Sequence, residues 1–298
     1  MKSFNSGSKV FSKIKLTIKI LIVSFCIFYS AISIANIEAI LGIPLKENKN
    51  LAGLMPTGDI PEIIISRDQY VISYNKERRS PNWVAWELEL SQMGSSGRSP
   101  FFLVDSELEL YLAHADSQYK AVDPTEFIGS CFDRGHQVPS ADRSDTHENN
   151  QITFLMSNIV PQTPFLNRVI WEHLEKYTRD LVRLENKKVF IITGPIFSED
   201  FGSVGPLKNI LIPSAELKIL IVLDADQSWQ DIKASTSIIS VIMPNRDRDG
   251  SPPTLGQGSQ TCKPFISETE DWNDWQDYKA SVEEIERLSG LTIFSKIL

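Results

Sequence analysis

Histidine and cysteine are scarce here: the 298 residues hold 4 of the first and 3 of the second. His136, in "SCFDRGHQVPSADR" (130–143), has no second histidine or cysteine at ligand spacing after it. That stretch therefore does not read as a zinc site. Low-complexity runs and internal repeats are absent, and 42% hydrophobic with 23% charged residues is a globular composition. Acids are missing from residues 1–19, which carry Lys2, Lys9, Lys13, Lys15 and Lys19. Long apolar runs are missing too, apart from "ILIVSFCIFYSAISIA" (20–35), which ends in the small-x-small pattern Ser33-Ile34-Ala35. A basic start, a short apolar stretch and a small-residue end describe a secretory signal peptide over residues 1–35. The alternative is an uncleaved N-terminal membrane anchor, for which the run is short. The first reading makes the mature protein secreted or periplasmic. Cys26 is an apolar filler of that run.

Basic residues are outnumbered. Losing residues 1–35 removes five lysines and no acid, which takes the net charge from −8 to −13. An acidic surface argues against a broad grip on polyanions but is compatible with a local basic cleft. Cys131 and Cys262 remain as either a disulfide or two buried thiols, since spacing alone cannot bring their Cα atoms together.

Residues 36–68 read as a lead-in punctuated by Pro56-Thr57-Gly58-Asp59 and Pro61, and residues 69–298 as one catalytic-size domain. Strand patterns start at "YVISYNKERRSPNWVAWELEL" (70–90) and recur as "KKVFIITGPIF" (187–197), "LKILIVLD" (217–224) and "SIISVIMPN" (237–245). The later runs are nearly continuous in apolar character, as strands buried on both faces are. Helices are expected over 166–184 and around 281–290, with Gly290 as C-cap. Strands in runs with few helices between them predict an α+β fold with a mixed or antiparallel central sheet and flanking helices.

On a regular α-helical wheel the helix at 166–184 carries an apolar stripe of Ile170, Leu174, Tyr177 and Leu181. Beside it run Asn167, Trp171, Glu175 and Arg179. Arg168, Glu172, Lys176 and Arg183 turn toward solvent. By itself this is an amphipathic surface helix with an i,i+4 Glu175–Arg179 pair, worth a few tenths of a kcal/mol.

In order along the chain, "DRGHQVP", "SNIVPQ" and "LNRVIWEHLE" resemble the DNA/RNA non-specific endonuclease family of ββα-metal nucleases. "NWVAWEL", "GRSPFFLVD", "VFIITGPIF", "IPSAELKIL" and "SVEEIERLSGLTIF" extend the likeness over about residues 70–295. The resemblance implies a ββα-metal finger in the α+β fold, Mg2+ as cofactor with Mn2+ as a substitute, and DNA and RNA as substrates left with 5′-phosphates. It implies that His136 is the general base, as a histidine free of metal should be. Asn167 becomes the metal ligand, an oxygen donor that suits Mg2+. Glu175 becomes the acceptor that holds metal-bound waters, the alternative being its ion pair with Arg179. Arg98 and Arg179 become the arginines on the scissile phosphate, with Arg78 or Arg79 competing for the place of Arg98. Arg134 faces phosphate or is structural, and Asp133 braces the loop or a metal-bound water. Gly135 permits close backbone approach. Asn158 matches a structural asparagine of the family, or forms a turn. Trp171 is packing.

"NRDRDG" (245–250) imitates a calcium loop, but Gly256 stands where a bidentate glutamate is required. His114 and His147 are surface residues. Two rivals accompany the endonuclease reading: a nucleic-acid-binding module of the same fold, and a phosphodiesterase acting on other phosphoesters. The residues specify neither a homodimer nor an inhibitor protein.

Overall fold

β-branched and aromatic residues fill both faces of the long strands, so the sheet they form must be covered on both sides. The computed structural model describes residues 37–51, 55–207, 209–255, 262 and 274–293. The signal-peptide or anchor reading of residues 1–35 lies outside them. Among the described residues no helix is long and apolar enough to cross a membrane.

The strands longer than two residues are β1 (Ile37–Gly42), β2 (Glu62–Ser66), β3 (Val71–Asn75), β4 (Ser80–Leu88), β5 (Asp133–His136), β6 (Ile159–Gln162), β7 (Lys187–Ile196), β8 (Ala215–Asp224) and β9 (Ser237–Pro244). Seven of them form one sheet in the order β1-β2-β3-β4-β7-β8-β9. Its neighbours are antiparallel except for the parallel pair β1–β2. The fold is α+β with a mixed sheet, as the sequence predicts. Residues 37–42 and 62–66, which read as a lead-in, are two strands of that sheet.

The helices are α1 (Ser106–Ala115), α2 (His147–Ile152), α3 (Trp171–Leu184) and α4 (Val282–Ser289). Gly290 ends α4 at φ +72, the left-handed conformation that glycine adopts without penalty. Trp83 and Ala85 of β4 and Leu217, Ile219 and Ile221 of β8 pack on one face with Ile285 of α4. The opposite face carries Val84, Trp86, Ile191 and Leu220, which pack against Trp171, Leu174, Leu181 and Val182 of α3. Strands β5 and β6 pair with each other, separately from the large sheet.

Cys131 and Cys262 form a disulfide with a Cα–Cα distance of 5.2 Å. The bond ties a residue two positions before β5 to a point 131 positions later. Closing so long a loop restricts the unfolded chain more than the folded one. Replacing both cysteines by serine is expected to lower unfolding free energy by about 3–5 kcal/mol. Denaturant titration of the pair beside the parent chain checks this; coincident midpoints and slopes would refute it.

Candidate active site

In the β5–β6 pair, the absence of a side chain at Gly135 makes room for the buried side chain of Gln162. A Cβ on Gly135 would lie 2.2 Å from Gln162 Oε1 and 2.5 Å from its Cγ. Asn158, fully buried, staples the exit of β5: its Nδ2 donates to the carbonyls of Val138 (3.0 Å) and Thr153 (2.8 Å), and its Oδ1 accepts from Val138 N (3.0 Å). Gln137 N donates to the Asn158 carbonyl as well. The residues after His136 are thus held in place by one carboxamide. Asn158 braces this segment while also ending the 3-10 turn Met156–Asn158.

His136, at the end of β5, sits between two rings. Its imidazole centroid lies 5.3 Å from that of Phe102 and 4.7 Å, edge-on, from that of Phe154. Arg98 lies over the Phe154 ring at 4.8 Å and Arg134 over the Phe102 ring at 4.7 Å. Arg98 is further fixed by a 2.6 Å hydrogen bond from its Nη1 to Ser140 Oγ. The imidazole Nε2 is buried and makes no hydrogen bond. Burial, and secondarily the Arg98 charge, pushes the imidazole down from 6.5 to about 3. The ring is therefore neutral at working pH, with a nitrogen that no protein group occupies.

At the other end of the same strand, Asp133 gathers the start of the long helix. Asn167 Nδ2 donates to Asp133 Oδ2 at 2.8 Å. A carboxylate only accepts, so the nitrogen of Asn167 must face it and the carbonyl oxygen Oδ1 must turn the other way. Arg168 grips the same carboxylate through Nε at 2.7 Å and Nη2 at 2.6 Å. His136 and Asn167 are thereby both anchored to β5, whose ends are three residues, or roughly 10 Å, apart.

Asn167 does not lie in a regular α-helix. Leu166–Ile170 is a π-helical turn that feeds α3, and Trp171 N donates to Leu166 O across five residues. The wheel drawn from the sequence assumes one α-helix over 166–184, so its phase slips across this turn. Widened turns of this kind are common at functional sites.

Further along α3, charges are buried in alternation. Glu175 lies 3.8 Å from Arg179 and 3.7 Å from Lys218 Nζ. Arg179 also reaches Asp142 at 3.4 Å and Glu172 at 3.7 Å. Trp86 Nε1 donates to Asp142 at 3.1 Å. Lys218 stands 3.9 Å from the Trp171 ring centroid. Burial pushes the Glu175 carboxyl up to about 7, against the pull of Lys218 and Arg179. Burial likewise raises Glu216 to about 8, opposed by its hydrogen bond from Gln137.

The structure groups His136, Arg98 and Arg134 around the aromatic pair and ties Asn167 to Asp133, at the other end of the strand that carries His136. Glu175 and Arg179 follow along α3, and the Arg98 charge acts on both His136 and Glu175. Arg79 does not compete with Arg98, because it is buried in a bidentate pair with Glu126 at 2.8 and 2.7 Å. Arg78 lies over the Phe197 ring at 4.8 Å. Arg168, expected to face solvent, is half exposed but ties down Asp133. Asn245 of "NRDRDG" is a buried brace that donates to the carbonyls of Pro161 and Pro213 and accepts from Thr163 N. Among the described residues no group of three His, Cys, Asp or Glu side chains could hold a metal.

Five contributors were not singled out from the sequence: Phe102, Phe154, Asp142, Glu216 and Lys218. A signal for the last two is present in "AELKILIVLD", where an acid and a lysine alternate with apolar residues in a strand buried on both faces. Charges at such positions need partners.

The sequence profile described as DNA/RNA non-specific endonuclease matches residues 48–298. The chain is 37% identical to a nuclease of Nostoc sp. over 252 residues, 83% of this chain and 79% of that protein. To mitochondrial endonuclease G of Homo sapiens it is 27% identical over 244 residues, 78% of this chain and 70% of the other. It is 30% identical to a nuclease of Serratia marcescens over 180 residues, 60% of this chain and 65% of that one. The crystal structure of the EndoG/EndoGI complex superposes with a TM-score of 0.58 at 22% identity, covering 79% of this chain and 86% of that chain. At that identity the superposition speaks for the fold.

Two outcomes follow from this geometry. Gly135→Ala forces a methyl into the buried Gln162 side chain and is expected to destabilise the fold by about 1–3 kcal/mol. A thermal melt indistinguishable from the parent would contradict the close approach. The second concerns pH. The folded state holds His136 near 3 against an ordinary 6.5, so it resists protonation, and the stability this group contributes is lost as pH falls from 6.5 toward 3. Glu175 and Glu216 act in the opposite sense, because their folded values are raised: their contribution is lost as pH rises from 4.5 toward 7–8. The melting-temperature difference between the parent and His136→Gln is therefore expected to shrink between pH 6.5 and 4. A difference constant across that range would rule the account out.

Proposed function

The chain belongs to the DNA/RNA non-specific endonuclease family, and from that membership and the site just described we propose that it is a Mg2+-dependent, sugar-non-specific endonuclease in which His136 is the general base. The observation that carries this reading is the buried, unpartnered Nε2 of His136 beside Arg98. A base must reach water or substrate with a free lone pair, and a neutral ring clamped by Phe102 and Phe154 offers one in a fixed direction.

An imidazole pushed down to about 3 is a weak base in the free protein. A phosphodiester bound at Arg98 brings negative charge to the side where the guanidinium now repels a proton. That change favours the imidazolium and strengthens the base when substrate is present.

Asn167 fits the role of cation ligand. Its amide nitrogen is engaged by Asp133, which leaves a carbonyl oxygen, the donor type that a hard cation such as Mg2+ takes. Mn2+ accepts the same donors. When bound, the cation would supply Lewis-acid stabilisation of charge on the phosphate and the leaving oxygen. The rest of the chemistry belongs to the chain. Arg98 and Arg179 hold phosphate oxygens and stay charged at any working pH. Arg134, stacked on Phe102, presents a further cation to the strand. Glu175 orients water within the site, Asp133 aims Asn167, and Asn158 holds the backbone beyond His136. Contacts to phosphate carry no base or sugar information, so DNA and RNA both serve as substrates.

Export accompanies this reading: the disulfide suits an oxidising compartment, and residues 1–35 have the composition of a signal peptide. A secreted or periplasmic nuclease follows, or one tethered by that segment if it is not removed.

The test is digestion of supercoiled plasmid by the purified chain, with Mg2+ and with EDTA. Cleavage is expected with Mg2+ alone. His136→Ala is expected to lower kcat by about 10²–10⁴-fold, the usual contribution of a general base. Asn167→Ala is expected to raise the Mg2+ concentration needed for half-maximal activity by at least about 10-fold. Intact plasmid under every condition would favour a binding module, and faster turnover of bis-(p-nitrophenyl) phosphate than of DNA would favour a different phosphodiesterase.

A further inference from the structure

Lys218 is a buried cation of this region that the mechanism above does not use. It lies mid-strand in β8, is 2% exposed, and projects from the face that carries Leu220 and Trp86. Burying an ammonium there costs several kcal/mol unless a partner offsets it. The partner is Glu175, whose Oε1 is 3.7 Å from Nζ. The other oxygen of Glu175, Oε2, is 3.8 Å from Arg179 Nη1. Each carboxylate oxygen therefore has its own cation.

The two cations are not equivalent. Arg179 also serves Asp142 and Glu172, so its charge is divided among three carboxylates. Lys218 forms its ion pair with Glu175 and is held by tryptophan on the way: Nζ is 3.9 Å from the Trp171 centroid and 6.0 Å from that of Trp86. Trp86 in turn donates to Asp142, the carboxylate on Arg179. The circuit Lys218–Glu175–Arg179–Asp142–Trp86 closes on itself and ties α3 to the central sheet. At 2% exposure the ammonium is shielded from solvent, and its ion pair is with Glu175, the group of this circuit to which a role in the site is given above.

We propose that Lys218 is a positioning residue for phosphodiester cleavage, its buried ammonium fixing one oxygen of the Glu175 carboxylate so that this side chain stays aimed into the site. The proposal rests on the role given to Glu175 above.

A double-mutant cycle tests it. Lys218→Met is made in the parent chain and in Glu175→Gln, with kcat and KM on plasmid DNA in Mg2+ and thermal melts recorded for all four proteins. Lys218→Met is expected to lower kcat about 10–100-fold, with KM within about twofold, the size of effect that supporting partners have on a site. In the Glu175→Gln background the same change is expected to cost less than about twofold, because residues that act as one unit are not additive. Equal losses in both backgrounds, or an undiminished kcat for Lys218→Met, would overturn the proposal. If Lys218→Met alone does not fold, the double variant, which removes both charges, is expected to fold; a double variant as unfolded as the single one overturns it too. Full activity of Glu175→Gln defeats the role of Glu175 and this proposal together. The His136→Ala and Asn167→Ala results bear on the nuclease reading without touching either.

Discussion

The 2.8 Å hydrogen bond from Asn167 to Asp133 is the contact on which the site depends. It joins the strand that ends in His136 to the helix that continues into Glu175 and Arg179. A carboxylate can only accept, so this bond also decides which end of the Asn167 amide is left for a ligand. Arg168 holds the carboxylate in place with two further bonds. His136 ends one short strand, Asn167 is bonded to the Asp133 that begins it, and the Gln162 side chain of the neighbouring strand packs over Gly135 between them.

Around that tie the protein buries more charge than a stable core requires. Unpaired, Glu175, Lys218, Arg179 and Asp142 would each cost several kcal/mol; they are tolerable because each meets an opposite charge. Desolvation leaves its mark on the titrations: His136 is pushed to about 3, Glu175 to about 7 and Glu216 to about 8. The same water exclusion that makes these groups costly leaves the field of Arg98 and Arg179 weakly screened. In the function proposed above, that is how an acidic chain would act on a polyanion: through a few buried cations rather than a basic surface.

Local patterns carried the long elements. Continuous apolar runs marked β7, β8 and β9 as strands, of which β7 and β8 are buried while β9, at the edge of the sheet, is partly exposed, and Gly290 marked the end of α4. Patterns that depend on regularity carried less. The wheel over 166–184 presumed an unbroken α-helix, while the π turn at Leu166–Ile170 shifts Asn167 relative to Glu175. Such a turn adds one residue to the hydrogen-bonded ring, which residue periodicity does not encode. Residues 37–42 and 62–66 lie between turn signals and so read as a lead-in, although they complete the sheet.

By itself the sequence determined the chemistry that was available: one histidine away from other ligands, an asparagine and a glutamate on one helix, arginines able to bind phosphate, and strands too apolar to face water. Those are properties of residue type and near-neighbour spacing. Tertiary structure alone decided that Phe102 and Phe154 close on His136, that Arg98 rather than Arg79 stands beside it, and that Cys131 meets Cys262. It also decided that Lys218, 43 positions beyond Glu175 in the chain, becomes its ion-pair partner. The reason is physical: desolvation and charge pairing depend on distance in space, and space is ordered by the packing of strand on helix rather than by position along the chain.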